Sequence, residues 1–491
     1  MKEDSETPFT FNPSVNPEDE KQLGGESFFS KNKKLILILA GCLIVIIIIA
    51  IVLIVVLKGK GKGNKNKDSN KGETSDNYFV AKFEIPEDST NAKIFSQFSS
   101  EPNRLNYSIH IISVKVNNSF INAKEGQYLF KKKGNYTLYF YLTKTIPFLD
   151  NFFFDCKYLV EVSFEHIDMR PIKSVIELFE GCINLKKINY GDNFKTESLI
   201  AMDELFSSCI SLTEIDLSSF NTSKVVSMND MFVKCSQLTS INFGKIKTPN
   251  LKSMRGMFKE CSALTSIDLS NFDTSNVENY EHIFNGCKSL ASIDTKYIFT
   301  DNAKDLTSMF QDCSSLVYLN LDHFNTSSVT DMSYMFTGCS KLQSISLKKW
   351  NTEMVNDMNA MFRGCTELRS IDLSSFYTPK LKNIKELFSG CAFLLELDLS
   401  KFDTSIVQDA TNAFYGFGTN GKITYNSTRI TSNVINLFPS SWEKIDVEKK
   451  EEKEEEKEEE KVEEKEEEKE EEILKEKQEE KDFEGINVKI I

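Results

Sequence analysis

Ten of the eleven cysteines recur at an almost constant spacing through the middle of this 491-residue chain. The successive intervals are 26 residues, then 27, then 26 seven times. Disulfide frameworks of small secreted domains do not space cysteines so evenly, whereas arrays of structural repeats do. We therefore expect a repeat array marked by Cys156, Cys182, Cys209, Cys235, Cys261, Cys287, Cys313, Cys339, Cys365 and Cys391.

Other residue types recur at fixed offsets from each cysteine, and we number positions by that offset. A Phe lies at minus three, a Leu at plus three, and Ile, Val or Leu at plus six. A bulky apolar residue recurs at plus eleven and a Thr at plus thirteen. One repeat shows the set as Phe258, Leu264, Ile267, Phe272 and Thr274.

Each repeat divides into two parts with different periodicities. The segment Leu264–Leu269 ends in Ile-x-Leu, and this alternation predicts a short half-buried strand. In Val329–Cys339, apolar residues fall at i, i+3, i+6, i+7 and i+10, which predicts a helical face of one or two tight turns. The Phe-Asn/Asp-Thr-Ser sequence between them is typical of turns, and hydrogen bonds within that turn explain the Thr at plus thirteen.

No single repeat can bury these apolar groups alone, but stacked coils can. Coils about 4.8 Å apart would give a stack about 48 Å long with one continuous parallel sheet. The phenylalanines should form the core. The cysteines lie on the same apolar face, so a ladder of buried thiols is favoured over disulfides or a metal site. Asp and Asn at plus seven should point outward, and a calcium role there is the weaker interpretation.

The repeat core M-F-x-G-C-x-x-L-x-x-I-x-L resembles that of the BspA-like leucine-rich repeat surface proteins. It is seen here as Met335–Cys339 followed by Leu342, Ile345 and Leu347. The match covers Phe153 to Phe417. The resemblance implies an α/β solenoid of the leucine-rich-repeat type with about ten 26-residue coils. It also implies an extracellular role in adhesion or in contact with a host or matrix, without naming a ligand.

A second segment, Leu35–Leu57, contains 23 residues without a charge, and a bilayer core needs about 20. It is preceded by 34 residues and followed by a Lys/Gly run, which argues against a cleaved signal peptide. Leu39–Cys42 also reads like a bacterial lipoprotein cleavage box. Lipidation at Cys42 would leave a very apolar N-terminus, so a single transmembrane helix is the favoured prediction.

The remaining segments have different compositions. Strand-forming runs between Asn77 and Asp150 predict a small β-rich cap on the first coil. Lys449–Lys481 holds 19 Glu and 10 Lys, which predicts a solvated helix, with a coiled coil or a disordered stalk as alternatives. The predicted order is a disordered segment 1–34, a membrane helix 35–57, a linker 58–76, a cap 77–150, a solenoid 151–417, a C-terminal cap 418–445 and a Glu/Lys-rich tail 446–491.

The sequence contains no recognisable catalytic, cofactor-binding or metal-ligating set of residues. It lacks a Gly-rich phosphate loop, and its four histidines share no ligand spacing. No basic stripe indicates nucleic acid, although the net charge of −14 is concentrated in the tail. The expected partners are the membrane, through Leu35–Leu57, and a protein or glycan ligand on the solenoid, with no cofactor.

Two orientations remain open for a membrane-anchored solenoid. The resemblance favours a surface protein at the plasma membrane with its solenoid outside the cell. The alternative is a scaffold facing the cytosol, and the lysine distribution supports it. Five lysines lie between Lys58 and Lys67, after the predicted span, whereas three lie between Lys31 and Lys34, before it. A third possibility, an enzyme whose repeats select the substrate, has no supporting residues.

Overall fold

The structure is a computed structural model that describes residues 76–96, 110–123, 125–144, 146–192 and 194–487. The predicted N-terminal segment, the predicted membrane helix Leu35–Leu57 and all but the last residue of the predicted linker lie outside these residues. Within the described ranges, no helix combines the length and the apolar character needed to cross a membrane.

The first part of the described chain is an antiparallel β-structure, in the region where a β-rich cap is predicted. In β1, alternate residues from Phe79 to Ile85 are buried, as expected for a strand with one face on a core. The main sheet has the order β4-β3-β6-β1 and continues into the first solenoid strand, because β1 also pairs with β7. The strands are β1 (Tyr78–Ile85), β2 (Thr90–Lys93), β3 (Ile111–Val116), β4 (Ser119–Ile121), β5 (Gln127–Phe130), β6 (Gly134–Leu142) and β7 (Leu159–Ser163).

The rest of the solenoid contributes one short parallel strand from most coils, centred on the plus-six position. Ile215 of β9 pairs with Ile241 of β10, and the same register recurs in later pairs. The strands are β8 (Lys187–Asn189), β9 (Glu214–Asp216), β10 (Ser240–Asn242), β11 (Tyr318–Asn320), β12 (Ser344–Ser346), β13 (Ser370–Ile371), β14 (Glu396–Asp398), β15 (Lys422–Tyr425) and β16 (Glu443–Asp446).

The prediction of one continuous parallel sheet is wrong. The coils of Cys261 and Cys287 have no strand at these positions, so the described strands form separate groups along the stack. In the second of these coils, Thr295 replaces the apolar residue that other coils place at plus eight. A 3-10 helix begins there and spans Thr295–Tyr297, so the chain leaves the extended path.

The prediction of a helical face in each repeat is also wrong, so the solenoid is a β-solenoid and not an α/β solenoid. Tyr334 (φ 58°) and Gly338 (φ 73°) have left-handed backbones four residues apart, and an α-helix cannot contain such residues. The N–H groups of Tyr334 and Gly338 donate to carbonyls of the next coil, at 2.8 and 2.7 Å. We call this segment, minus eight to minus one of each coil, the turn ladder.

The turn ladder holds the uninterrupted hydrogen-bonded path of the solenoid. In each coil the N–H groups at minus seven, minus five, minus three and minus one bond to the following coil, while the intervening residues close tight turns. Parallel bridges at its first position link every coil without a gap: Phe148, Ser174, Ala201, Ser227, Ser253, Asn279, Asp305, Asp331, Asp357, Asn383 and Asp409. Because these bonds satisfy the backbone between coils, the ladder fixes the spacing of the stack.

The core of the solenoid is a column of parallel aromatic rings at minus three, as predicted. Eleven rings from Phe153 to Phe414 are stacked nearly parallel, with successive centroids 5.3–6.2 Å apart and planes within 19°. All of them are buried. A second, shorter stack runs from Trp350 through Phe376 to Phe402 at plus eleven.

The last coil is followed by a cap and a long helix. Phe417 replaces the next cysteine, and its ring lies 4.8 Å from Trp442, which donates its indole N–H to Gly418. Helix α1 (Ser432–Ile435) lies between β15 and β16, and helix α2 (Val447–Asn487) follows β16 directly. The charged tail is thus helical through Asn487. No other described helix packs along α2, so a coiled coil is not seen.

Candidate binding surface

The outer face of the coils at plus two to plus seven, which includes the parallel strands, is a regular surface of the solenoid. The plus-six side chain points into the core, and its two neighbours in each strand point outward. In the middle coils the plus-four position of this face holds short, uncharged residues: Thr213, Thr239, Thr265 and Ala291.

Toward the C-terminal coils the same face carries exposed apolar and aromatic side chains. Phe393 and Leu395 are 54% and 53% exposed, and the guanidinium of Arg369 lies 5.7 Å from the Phe393 ring centroid. Val317 and Tyr318 are also exposed, at 41% and 55%. We call these five residues, which occupy plus two, plus four and plus five in the coils of Cys313, Cys365 and Cys391, the aromatic patch. The repeat pattern of the sequence does not reveal the patch, because the pattern consists of residue types shared by the coils, whereas the patch consists of departures from the polar residues usual there.

The Asp and Asn column at plus seven points outward, as predicted. Its side chains are exposed, and each accepts a backbone N–H from two residues further on, at 2.8–3.3 Å. Hydrogen bonds from the side chain and backbone of Ser270 lower the pKa of the Asp268 carboxyl. The column therefore ends each strand in a local turn. Its members are Asp216, Asn242, Asp268, Asp294, Asn320, Asp372 and Asp398.

The Thr column at plus thirteen does not follow the prediction of local turn bonding. Its side chains are buried, and their hydroxyls donate to carbonyls of the following coil at 2.7–3.5 Å. Thr248 both donates to the carbonyl of Asp273 and accepts its N–H. The column is therefore an internal ladder that joins neighbouring coils: Thr222, Thr248, Thr274, Thr300, Thr326, Thr352, Thr378 and Thr404.

The Cys column is a buried thiol ladder, as predicted. All ten side chains are free and fully buried. From Cys182 onward, each thiol donates to the carbonyl of the minus-three Phe in the preceding coil, at 3.0–3.2 Å. Burial raises the pKa of the Cys235 and Cys287 thiols to about 12, so neither forms a reactive thiolate at neutral pH.

A cluster of carboxylates lies on the turn ladder of the first coils. Glu177 and Glu204 occupy the same offset in neighbouring coils, both with left-handed backbones, and Glu180 lies between them in sequence. Burial is the main cause that raises the pKa of Glu180 to about 7, and the charges of Glu204 and Glu177 raise it further. The cluster is a source of pH dependence, but it is not organised as a metal site.

A cleft of about 540 Å³ lies where the cap meets the first coils. Its walls mix both signs of charge, including Lys144 and Glu165, and Arg170 is held by an ion pair with Asp168 at 2.7 Å. The ring of His166 stacks on Tyr78 with centroids 4.5 Å apart. These groups neutralise one another across an open, polar cleft, so the aromatic patch is the better candidate for recognising a partner.

No described group of three or more His, Cys, Asp or Glu side chains is arranged to hold a metal. The other histidines make separate polar contacts: His110 with Thr143 at 3.1 Å, and His323 with the carbonyl of Thr295 at 2.8 Å. His282 lies near Glu281, and burial lowers the pKa of its imidazole. These three histidines therefore make separate local contacts.

Two solved structures are similar to this chain. The Treponema pallidum (T. pallidum) leucine-rich repeat protein TpLRR is 22% identical, and the match covers 40% of this chain and 72% of that one, with a TM-score of 0.24. The TLR13–ssRNA13 complex is 16% identical, with 59% of this chain and 40% of that chain covered and a TM-score of 0.24. No curated protein matches the chain.

A family model described as "Mycoplasma protein of unknown function, DUF285" matches residues 148–243, 240–317 and 304–425. The three matches overlap and together span more than half of the chain. They begin at the first bridge of the turn ladder, Phe148, and end at the last residue of β15, so they coincide with the coils. This chain therefore belongs to the DUF285 family.

Proposed function

We propose that this protein is a membrane-anchored recognition protein of the BspA-like type. Its solenoid lies outside the cell and binds a protein or glycan ligand through the outer face of its strands. Leu35–Leu57 is the anchor. The proposed role is binding without catalysis.

The aromatic patch is the observation that carries the proposal. Tyr, Phe and Arg are residue types that dominate binding energy at protein interfaces, and exposed apolar groups that lie close together mark such surfaces. Arg369 and Phe393 lie just before strands β13 and β14, whose inward residues Ile371 and Leu397 are buried, so the backbone that carries the Arg369–Phe393 contact is anchored in the core before a ligand arrives. An anchored backbone lowers the entropy lost on binding.

The location is tested by protease treatment of intact cells, followed with an antibody against the repeats. Cleavage of the repeats from outside supports the surface assignment. Protection until the membrane is opened contradicts it and supports the alternative of a cytosol-facing scaffold. The alternative is retained because the five lysines after the span outnumber the three before it.

The binding face is tested with a pair of double variants in the full-length chain. Phe393→Ser with Leu395→Ser removes the apolar part of the patch. Ala263→Ser with Thr265→Ser changes the same offsets in a middle coil and serves as the matched control. Both are assayed on immobilised collagen and fibronectin and on a glycan array, with single-stranded RNA as a negative control.

We expect the patch variant to lose about tenfold or more in affinity for the bound ligand, because hot-spot truncations cost at least about 1.4 kcal/mol each. The middle-coil variant should bind as the parent does. Equal affinities of the two variants would place the binding surface elsewhere on the solenoid.

A further inference from the structure

The two ends of the turn ladder are finished differently. At the N-terminal end the cap covers the first coil: the N–H of Ser96 donates to the carbonyl of Phe152 at 2.9 Å, and Lys93 lies 4.7 Å from the Phe154 ring centroid. The carbonyl of Phe152 in the first coil thereby gains a partner from the cap. At the C-terminal end the described cap packs Phe438 on Phe414, with ring centroids 5.2 Å apart, but its backbone carbonyls accept no hydrogen bond from the ladder.

Backbone donors at the C-terminal end of the ladder have no acceptor among the described residues. In the preceding coil, Glu386, Phe388 and Gly390 donate to the carbonyls of Thr411, Ala413 and Tyr415 at 2.7–2.8 Å, and Ile384 donates to Asp409 at 2.8 Å. The equivalent N–H groups one coil later donate to no acceptor within the described part of the chain: Ala410, Asn412, Phe414 and Gly416. They form a row of four donors spaced two residues apart.

A groove of about 360 Å³ lies beside this row. One wall is 412–419, where Tyr415 is 71% exposed, and the other is formed by Leu437 and 439–441. Neither wall contains a charged residue, although the whole protein has a net charge of −14. Proteins protect open edges with charges, as β16 does with Glu443 and Lys444 at the end of the strands. The end of the turn ladder lacks this protection.

The row of donors determines the chemistry of a partner. A single anion would satisfy one or two N–H groups of such a row. A second copy of this end presents donors and not acceptors. A peptide that follows the same tight turns as one more coil presents alternate carbonyls along one edge, as Thr411, Ala413 and Tyr415 do to the preceding coil, and can therefore meet the whole row.

We propose that the end of the turn ladder, Ala410–Gly416, is a docking site for an uncharged peptide segment of a partner protein that adopts the turns of one more coil. The segment adds one rung to the ladder through its backbone carbonyls and places an apolar side chain between Tyr415 and Leu437. The site is separate from the aromatic patch and does not depend on the side of the membrane that holds the solenoid.

The first test is hydrogen exchange of single amides in the full-length chain. The amides of Asn412, Phe414 and Gly416 should exchange about 100-fold faster than those of Glu386, Phe388 and Gly390, which occupy the same offsets one coil earlier. Slow exchange of both sets in the free protein would mean that the chain itself closes the ladder, and the proposal would be wrong.

The second test adds a probe peptide that imitates one further coil. The peptide has the sequence of residues 331–338 with Asp331→Asn and blocked termini, so it is uncharged and retains the acceptors used inside the stack. It should slow exchange at Asn412, Phe414 and Gly416 about tenfold or more. No change overturns the proposal. Equal slowing by inorganic phosphate at the same concentration also overturns it, because the site would then bind anions.

A matched pair of variants tests whether the peptide binds at the ladder end. Tyr415→Glu places a charge at the open end on a side chain that is mostly exposed, and Ser389→Glu places the same charge at the equivalent offset one coil earlier. The first should abolish protection by the peptide and the second should retain it, while both melt as the parent does. If protection by the peptide is lost in both variants, or retained in both, the peptide does not bind at the ladder end.

Discussion

Phe258 lies between two parallel rings, with centroids 5.9 Å from Phe232 and 5.7 Å from Phe284. Its side chain is fully buried, so truncation removes apolar contacts and leaves a cavity inside the column. We expect Phe258→Ala to lower the free energy of unfolding by about 3–5 kcal/mol in denaturant titrations. Phe393→Ala, on an exposed ring, should change it by less than about 1 kcal/mol. Equal effects would contradict the core assignment.

Glu180 makes stability depend on pH in a direction opposite to that of most carboxylates. Its pKa is about 7 in the folded protein against 4.5 ordinarily, so the folded state binds more protons than the unfolded state between these values. The free energy of unfolding should therefore fall as the pH rises from about 4.5 to 7.

The variant Glu180→Gln removes this dependence. At pH 8 it should be more stable than the parent by about 1 kcal/mol, a value well below the full linkage energy because solvent screens the half-exposed carboxyl. At pH 4.5 the two proteins should unfold at the same denaturant concentration. Glu214→Gln, on the exposed side of β9, serves as the control. A parent whose stability rises over this interval while the variant's does not would contradict the assignment.

At the level of the element, the turn ladder accounts for why sequence analysis succeeded in part. The offsets of Phe, Leu and Cys correctly identified the inward positions, because any coil that buries a fixed set of side chains repeats them at a fixed interval. The apolar spacing of Val329–Cys339 was misread as a helix. Tight turns with a left-handed residue every fourth position, such as Tyr334 and Gly338, produce the same spacing.

Features that depend on contacts between coils could not be predicted from the sequence pattern. Thr248 has the composition of a turn residue, yet it bonds to the backbone of the next coil, 25 residues away. The aromatic patch and the open donors at Ala410–Gly416 depend on which coil is last and on which copies depart from the consensus. Both become visible only when the coils are stacked.

Two glycines with left-handed backbones allow the cost of backbone strain to be separated from the cost of steric crowding. An added Cβ at Gly364 (φ 72°) would meet the neighbouring coil at 3.7 Å, an ordinary contact. At Gly244 (φ 58°) it would lie 2.5 Å from the Cβ and 2.7 Å from the Cα of Ser218. We expect Gly364→Ala to cost about 1 kcal/mol from backbone strain alone. Gly244→Ala should cost about 1–3 kcal/mol more, because the backbone of β9's coil must also shift. Thermal unfolding of both variants measures the difference, and equal losses would exclude crowding as a cause.

At the level of the whole molecule, the ladder, the ring column and the Thr column join each coil to its immediate neighbours. The stack therefore behaves as a one-dimensional array. We expect deletion of one complete repeat, residues 331–356, to leave a folded and cooperatively unfolding protein with one coil fewer. Deletion of residues 331–343, half a repeat, should abolish cooperative unfolding, because it brings inward and outward positions into the same column. Circular dichroism during heating compares the two, and equal behaviour would contradict the coil register.

The exchangeability of coils has a consequence at the level of the gene. Recombination between neighbouring repeats adds or removes blocks of 26 codons, and each block leaves both ends of the protein as they were. One event changes the length of the molecule by about 5 Å and carries a new set of outward side chains into the stack. Chains with this fold can thus change the length of the solenoid and its outward side chains one coil at a time. Each sequence along the way still encodes a complete stack of coils.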